Sequence, residues 1–181
     1  MVDLLVGGAS HRAPMSYEEF LSLGETKHHE YYEGLCVVNP PTRRHSRAVK
    51  QLERILDPAC PHTHEVLIGW GWETAPREQF EPDLMVSDRS SPDNVILRAP
   101  PPMLVVEVSS PSTRSDDWGG KRAAYAHAGA GWYWIVDLDV PEVVVLRSSG
   151  DSFVEAARLR QRGTTPGPLV VELDPSALAQ V

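Results

Sequence analysis

The chain has 181 residues, of which 41% are hydrophobic and 23% are charged, as is ordinary for one globular domain with a buried core. It lacks the run of about 20 apolar residues that a membrane-spanning helix needs, and its N-terminal segment, with Asp3 and no basic start, does not resemble a secretion signal. We therefore expect a cytoplasmic protein without a membrane partner. The formal net charge of −8 excludes a uniformly basic surface of the kind that often binds nucleic acid.

Helices are predicted where apolar residues recur at helical spacing next to suitable caps: at 17–23 after Ser16 as N-cap, from Thr42 to about Leu56, and at 112–127 before Gly129 and Gly131. Strands are predicted by β-branched, aromatic and apolar runs at 34–38, 66–72, 82–86, 103–108, 132–136 and 143–146, with further candidates around Phe153 and at 169–171. The turn at 137–142 predicts a hairpin between the two strands that flank it.

Strands outnumber helices, and a helix lies between the two strong strands at 103–108 and 132–136. That order indicates an α/β or α+β fold in which helices flank a mixed central β-sheet. We expect residues 1–15 to be an N-terminal lead-in and residues 16–181 to form a single domain.

Two carboxylates occupy unusual places in the predicted strands. Asp83 opens one strand, and Glu107 lies in the otherwise apolar run Leu104-Val105-Val106-Glu107-Val108. A carboxylate in an apolar strand is costly to bury unless it is paired, protonated or bound to a cation. On neighbouring strands, Asp83 and Glu107 could share one hard cation such as Mg²⁺, which accepts oxygen ligands and retains waters. Taken alone, Asp83 after Pro82 is more typical of a turn or of the start of a strand.

The helix that follows Glu107 carries a candidate partner for these acids. Lys121 and Tyr125 are four residues apart and therefore lie on one face of that helix. If the helix returns across the sheet, the ammonium of Lys121 reaches Glu107 and can stabilise charge that develops on a phosphoryl group.

These segments together resemble the PD-(D/E)XK nuclease superfamily, and more narrowly its bacterial branch of restriction-endonuclease-like proteins of unassigned function. The resemblance rests on Glu81-Pro82-Asp83, Glu107 with the following Val-Ser-Ser-Pro-Ser-Thr, Lys121 with Tyr125, and the segment from Gly131 to Asp137. His29-Glu30-Tyr-Tyr-Glu-Gly34 and the later His45 match its N-terminal part, so that the resemblance runs from about residue 16 to about residue 173.

The resemblance implies a restriction-endonuclease-like fold and hydrolysis of phosphodiesters with Mg²⁺, for which Mn²⁺ can substitute. It implies that Asp83 and Glu107 bind the metal and that Glu30 supports them. His45 either contacts phosphate or caps its helix. The superfamily pattern has a lysine where this chain has Ser109, and Lys121 is the candidate for the missing lysine. We expect Lys121 to be a partly exposed helix residue whose replacement leaves folding intact.

The expected substrate is nucleic acid, with DNA as our first expectation. Arg43, Arg44 and Arg47 form a local basic cluster near the start of the predicted helix after Thr42, and they are the candidate contacts to phosphate. The same cluster is also compatible with a solvated helix face. Cleavage of a duplex would favour a two-fold homodimer.

Two alternatives follow from the same sequence. The first is a catalytically inactive module, derived from a nuclease, that binds nucleic acid or protein; Ser109 and the acidic balance favour it. The second is a zinc site at Cys60, His62 and His64, whose side chains alternate. Pro58 and Pro61 argue for a loop there, and we expect both cysteines of the chain, Cys36 and Cys60, to be reduced thiols.

Overall fold

The structure is a computed structural model, and it describes residues 11–24, 28–92 and 96–180. The helices are α1 (Tyr17–Ser22), α2 (Arg43–Leu56), α3 (Arg114–Trp118), α4 (Gly120–His127) and α5 (Pro175–Ala179), and a 3-10 turn follows α2 at Asp57–Ala59. The strands are β1 (His11–Pro14), β2 (His29–Tyr32), β3 (Leu35–Val38), β4 (His64–Ile68), β5 (Gly71–Ala75), β6 (Glu78–Phe80), β7 (Leu84–Asp88), β8 (Ile96–Leu97), β9 (Leu104–Ser109), β10 (Trp132–Asp137), β11 (Glu142–Ser148), β12 (Phe153–Leu159), β13 (Gly163–Thr164) and β14 (Glu172–Leu173). None of these helices is both long and apolar enough to cross a membrane.

The fold is mixed α+β, as the sequence predicts, but the long strands form two sheets rather than one. The large sheet has the strand order β12-β11-β10-β9-β7-β4, and the small sheet has the order β1-β3-β2-β6-β5-β8. Each sheet is mixed, because β9 and β10 pair in parallel in the large sheet and β5 and β8 do so in the small one. Strands β13 and β14 form a separate ribbon. Part of the expected lead-in joins the small sheet, where β1 pairs with β3.

Local sequence explains the main helices. Ser16 and Glu19 form a capping box at the start of α1. The hydroxyl of Thr42 accepts a hydrogen bond from the backbone N–H of His45, which caps α2 as predicted. Helix α2 buries its apolar residues Ala48, Val49, Leu52 and Leu56 on one side. That side packs against the large sheet and fixes the helix on its outer face.

Glycines account for two sharp features. Glu33 and Gly34 both have positive φ angles, 53° and 75°, in the two-residue loop that joins β2 to β3, which is the backbone conformation that a tight hairpin requires. At Gly119 the expected continuous helix of residues 112–127 is interrupted, so that this prediction is wrong in its continuity. A Cβ atom at Gly119 would lie 2.8 Å from the backbone oxygen of Ser115, and the chain turns there from α3 into α4.

Two further strand predictions need correction. The run at 66–72 is not one strand, because Gly69, with φ of 55°, and Trp70 separate β4 in the large sheet from β5 in the small one. Residues 169–171 are not a strand; Leu169 and Val171 are core residues that precede β14. By contrast, the predicted hairpin is confirmed, since β10 and β11 pair antiparallel across the turn that follows Asp137.

The large sheet is covered on both faces. One face carries Leu84 and Trp134 and packs against α2. The opposite face carries Met85 and Tyr133, and it packs against α4 and against aromatic residues of the small sheet such as Trp72. Glu107 lies in β9 next to residues of this second face, so its carboxylate is directed between the two sheets.

Candidate active site

A buried lysine joins the two sheets. The ammonium of Lys121, in α4, lies 2.7 Å from Oε1 of Glu30 in β2 and 3.1 Å from Oε1 of Glu107 in β9. All three side chains are only 4% exposed. Three separate elements thus bring one cation and two carboxylates together, and of these contacts the sequence predicts only the approach of Lys121 to Glu107.

Two neighbouring groups complete this cluster. The hydroxyl of Tyr125, one helical turn after Lys121, donates to Oε1 of Glu107 at 2.7 Å. The carboxylate of Asp117, four residues before Lys121, lies 3.9 Å from the ammonium and accepts a hydrogen bond of 2.8 Å from the hydroxyl of Thr113. The two donors fix one oxygen of Glu107, while Asp117 adds a third negative group around a single cation.

Asp83 is held by a separate pair of donors. Its Oδ2 lies 3.0 Å from Nε2 of His45, near the start of α2, and accepts the backbone N–H of Val108 at 2.7 Å. The Asp83 and His45 side chains are 21% and 15% exposed, so both retain access to solvent. His45 thus contacts Asp83 through its side chain, while its backbone N–H donates the capping hydrogen bond to the hydroxyl of Thr42.

The register of the sheet relates Asp83 to Glu107. Strands β7 and β9 are antiparallel, with Leu84 opposite Val106. Continuing that register by one residue sets Asp83 opposite Glu107, and opposite residues of antiparallel strands project from the same face. The hydrogen bond from Val108 to Asp83 agrees with this placement. Both acids line one cleft of about 700 Å³, together with Glu30, Lys121 and His45.

Burial and charge set the protonation of the cluster. Burial raises the pKa of the Glu107 carboxyl well above its usual range, and the ammonium of Lys121 only partly opposes this. Burial alone would lower the pKa of Lys121, but the carboxylates of Glu107, Glu30 and Asp117 raise it well above its usual range. Burial also raises the pKa of Asp117, to about 6. Lys121 therefore stays charged, and acids exceed bases around it.

The Asp83 and His45 pair behaves as an ion pair. Burial raises the pKa of Asp83, but the hydrogen bond and the charge of His45 outweigh it and hold that pKa below its usual value. Burial lowers the pKa of His45, but the hydrogen bond to Asp83 and the charges of Asp83 and Asp117 together outweigh it and raise that pKa. The ionised form of Asp83, which can act as an oxygen ligand to a metal ion, is therefore favoured.

Two of the sequence expectations about basic residues are changed by the structure. Arg44 is engaged within the chain, although its side chain is 42% exposed: its guanidinium donates to the backbone oxygens of Ala179 and Leu138 and pairs with Asp139, which ties the C-terminal segment to α2. Lys121 is not partly exposed, because it is enclosed by Glu30, Glu107 and Asp117. Arg43 and Arg47 are exposed, as expected for a surface cluster.

Sequence reasoning missed two acids of this region. Glu81 lines the cleft, and it accepts the backbone N–H of His28 at 2.8 Å; burial raises the pKa of its carboxyl to about 7. Glu81 lies two residues before Asp83 in the same Glu-Pro-Asp segment, which is the signal that could have identified it. Asp117 could have been found from its spacing, since residues four apart on a helix are neighbours, and Lys121 is four residues on.

The donors in the cleft fit a hard divalent cation by their chemistry. Asp83 and Glu107 offer carboxylate oxygens, and Mg²⁺ typically takes one or two carboxylates and keeps several waters. Buried carboxylates outnumber cations in the cleft, and a bound metal ion would reduce this excess of negative charge. Within the described ranges no group of three or more His, Cys, Asp or Glu side chains could hold a metal by itself. The alternative zinc site at Cys60, His62 and His64 thus finds no support there.

The fold and the acidic cleft define a restriction-endonuclease-like protein. A sequence profile of the Uma2 family, described as "Putative restriction endonuclease", matches residues 17–178, and the chain belongs to this family. Its fold is also similar to that of a crystal structure of "a putative nuclease belonging to DUF820 from Anabaena variabilis ATCC 29413", with a TM-score of 0.74 and 21% sequence identity, covering 92% of this chain and 98% of that chain. No curated protein matches the chain.

Proposed function

We propose that this protein hydrolyses phosphodiester bonds of nucleic acid in a reaction that requires Mg²⁺, with Mn²⁺ as a substitute. Asp83 and Glu107 would be the metal ligands. The observation that carries the proposal is the position of the Lys121 ammonium, 3.1 Å from Glu107 and 2.7 Å from Glu30. A cation on α4 thereby reaches the acids although position 109 is a serine.

Each side chain has a role that its contacts support. His45 and the N–H of Val108 hold Oδ2 of Asp83, and its Oδ1 would be the oxygen offered to the metal. Tyr125 and Lys121 together fix Oε1 of Glu107. When bound, the metal would supply a Lewis acid and lower the pKa of a water molecule. The protein's part is to hold the two carboxylates in place before the substrate arrives.

Lys121 is suited to stabilise the charge that develops on the phosphoryl group. An ammonium has three N–H donors, and Glu30 and Glu107 accept two of them. Asp117 lies 3.9 Å from the ammonium and would compete for the third, so a non-bridging phosphoryl oxygen would have to enter the cleft to receive it. The surrounding carboxylates raise the pKa of Lys121 and so favour its charged form.

The test is cleavage of plasmid and single-stranded substrates with Mg²⁺ or Mn²⁺ by wild type and by three variants: Asp83→Asn, Glu107→Gln and Lys121→Ala. We expect each variant to lose about 10²-fold or more in rate, the scale of removing one electrostatic stabiliser, at a temperature at which circular dichroism shows the variant to be folded. Asp151→Asn is the matched control, because Asp151 is exposed in a loop far along the chain. Variants that cleave as fast as wild type while Asp151→Asn does the same would contradict the assignment.

A second function is compatible with the same cleft. A module that binds nucleic acid or protein without cleaving it would explain Ser109 in the place of the usual lysine, and it would leave the buried acids as structural pairs. Clean wild-type protein that cleaves no substrate with either metal, but still binds nucleic acid, would favour this second function.

A further inference from the structure

A row of four cations runs along the exposed side of α2. Arg43, Arg47, Lys50 and Arg54 are spaced by four, three and four residues, which places them within an arc of about 60° on an α-helix. All four are exposed, and none forms an ion pair with any described part of the chain. Arg44, by contrast, is committed to the C-terminal segment. The row is about 16 Å long at a rise of roughly 1.5 Å per residue.

The row borders the candidate active site. Lys50, the third cation of the row, also lines the cleft, and Thr42, His45 and Val49 of the same helix line it too. A chain of phosphates that runs along this rim of the cleft is therefore within reach of the row. Solvated cations that served only solubility would not need this alignment with the cleft.

The charges of the cleft disfavour a nucleic-acid duplex, which has two phosphate backbones. Among the described residues that line it, Lys50 and Lys121 are the only lysines or arginines, and four carboxylates face them: Glu30, Glu81, Asp83 and Glu107. A duplex carries one charge per roughly 1.7 Å of axis, whereas one strand carries one per roughly 3.4 Å. A single row of cations beside an acidic cleft is matched to the charge of one strand.

The wall of the cleft that flanks the acids is apolar. It is formed by Pro40, Pro41, Val49, Ile68, Pro82 and Pro111. Ile68 is 45% exposed, which is unusual for isoleucine in a strand of this kind. Unpaired bases present apolar faces that pack against such surfaces, whereas paired bases in a duplex keep their faces stacked inside the helix.

We propose that the substrate of this protein is single-stranded nucleic acid, whose backbone follows the row Arg43, Arg47, Lys50 and Arg54 and whose unpaired bases pack against the apolar wall at Ile68. This inference rests on the proposed function, because it names the substrate of that same cleft. It also accounts for a nuclease-like protein with a net charge of −8, since only one short row needs to be basic.

The test is binding measured by fluorescence anisotropy with a labelled DNA strand of about 20 nucleotides and with its duplex, across a range of salt and in EDTA, so that no cleavage is needed. Four contacts to a single strand predict a slope of about −3 in log K against log salt, at about 0.7 per contact. Arg43→Gln with Arg47→Gln should reduce the slope by about half. The matched control, Arg77→Gln with Arg147→Gln, removes the same charge elsewhere and should leave the slope unchanged.

A second variant tests the apolar wall. Ile68→Ser should weaken binding of the single strand by about fivefold without changing the salt slope, because it removes apolar contact and no charge. Tighter binding of the duplex than of the strand, or equal slopes for the row variant and its control, would overturn the proposal. Intact binding by the row without any cleavage would instead count against the hydrolytic function and leave the strand-binding row standing.

Discussion

Replacing Lys121 by methionine removes the ammonium that lies between Glu30 and Glu107 and retains the length of the side chain. Because all three side chains are 4% exposed, the two carboxylates would be left in a buried place without their partner. Breaking a buried ion pair from one side costs about 3–5 kcal/mol, which is a large part of the stability of an ordinary domain. With a urea m-value of about 2 kcal/mol/M, the unfolding midpoint should fall by about 1.5–2.5 M.

The pH dependence of this loss gives an independent check. Without Lys121, burial holds the folded-state pKa of the Glu107 carboxyl even further above its unfolded value of roughly 4.3. A raised folded pKa contributes stability that is present below the unfolded pKa and is lost as the pH rises through the folded pKa. The deficit of the Lys121→Met variant should therefore be smaller at about pH 5 than at about pH 8.

The assay is urea unfolding followed by circular dichroism at both pH values. Lys50→Met is the control, because Lys50 is exposed and its replacement should change stability by no more than about 0.5 kcal/mol. The double variant Lys121→Met with Glu107→Gln should recover part of the loss, since it removes one of the two unpaired charges. A Lys121→Met protein as stable as wild type at about pH 8 would refute the reasoning about the buried cluster.

Three further predictions concern stability. Asp117→Asn should change the pH dependence of the free energy of unfolding. Because the pKa of Asp117 in the folded protein, about 6, lies above its unfolded value of about 3.9, wild type should gain about 2 kcal/mol relative to the variant as the pH falls from about 7 to about 4. Denaturant unfolding at both pH values measures this difference. Thr42→Ala should destabilise the protein by about 0.5–2 kcal/mol through loss of the α2 cap, and an unchanged melting temperature would count against that role. Arg44→Ala should destabilise it by about 1–3 kcal/mol, because buried carbonyls lose their donor, yet leave the salt dependence of nucleic-acid binding as in wild type; a reduced salt slope would return Arg44 to the binding surface.

Much of the site follows from local patterns in the sequence. Glu107 stands out because its neighbours in β9 are apolar, and a charge in such a run needs a partner. Lys121 and Tyr125 share a helix face by their spacing, and the structure brings both onto Glu107. The cap at Thr42 likewise depends only on residues within one turn. Local spacing is sufficient wherever one element positions both partners.

The sequence was less informative where partners come from distant segments. The sequence pattern of α2 does not distinguish Arg44 from Arg43. The partners of Arg44 lie in segments that follow it by 94 to 135 positions in the chain. The turn at Gly69 separates β4 in the large sheet from β5 in the small one, but in the sequence the segment 66–72 looks like one continuous strand. The enclosure of Lys121 depends on Glu30, from β2, and no local pattern predicts that contact.

The bridge from Lys121 to both sheets also links activity to the dynamics of the fold. Glu30 belongs to the small sheet and Glu107 to the large one, so that separation of the two sheets would pull apart the groups that form the site. Proteins open in part more often than they unfold completely, along boundaries between cooperative units. Under the proposed function, detachment of the small sheet would take the site apart. Hydrogen exchange at the amides of β2 would report the fraction of molecules in which the two sheets have separated while the rest of the chain is still folded.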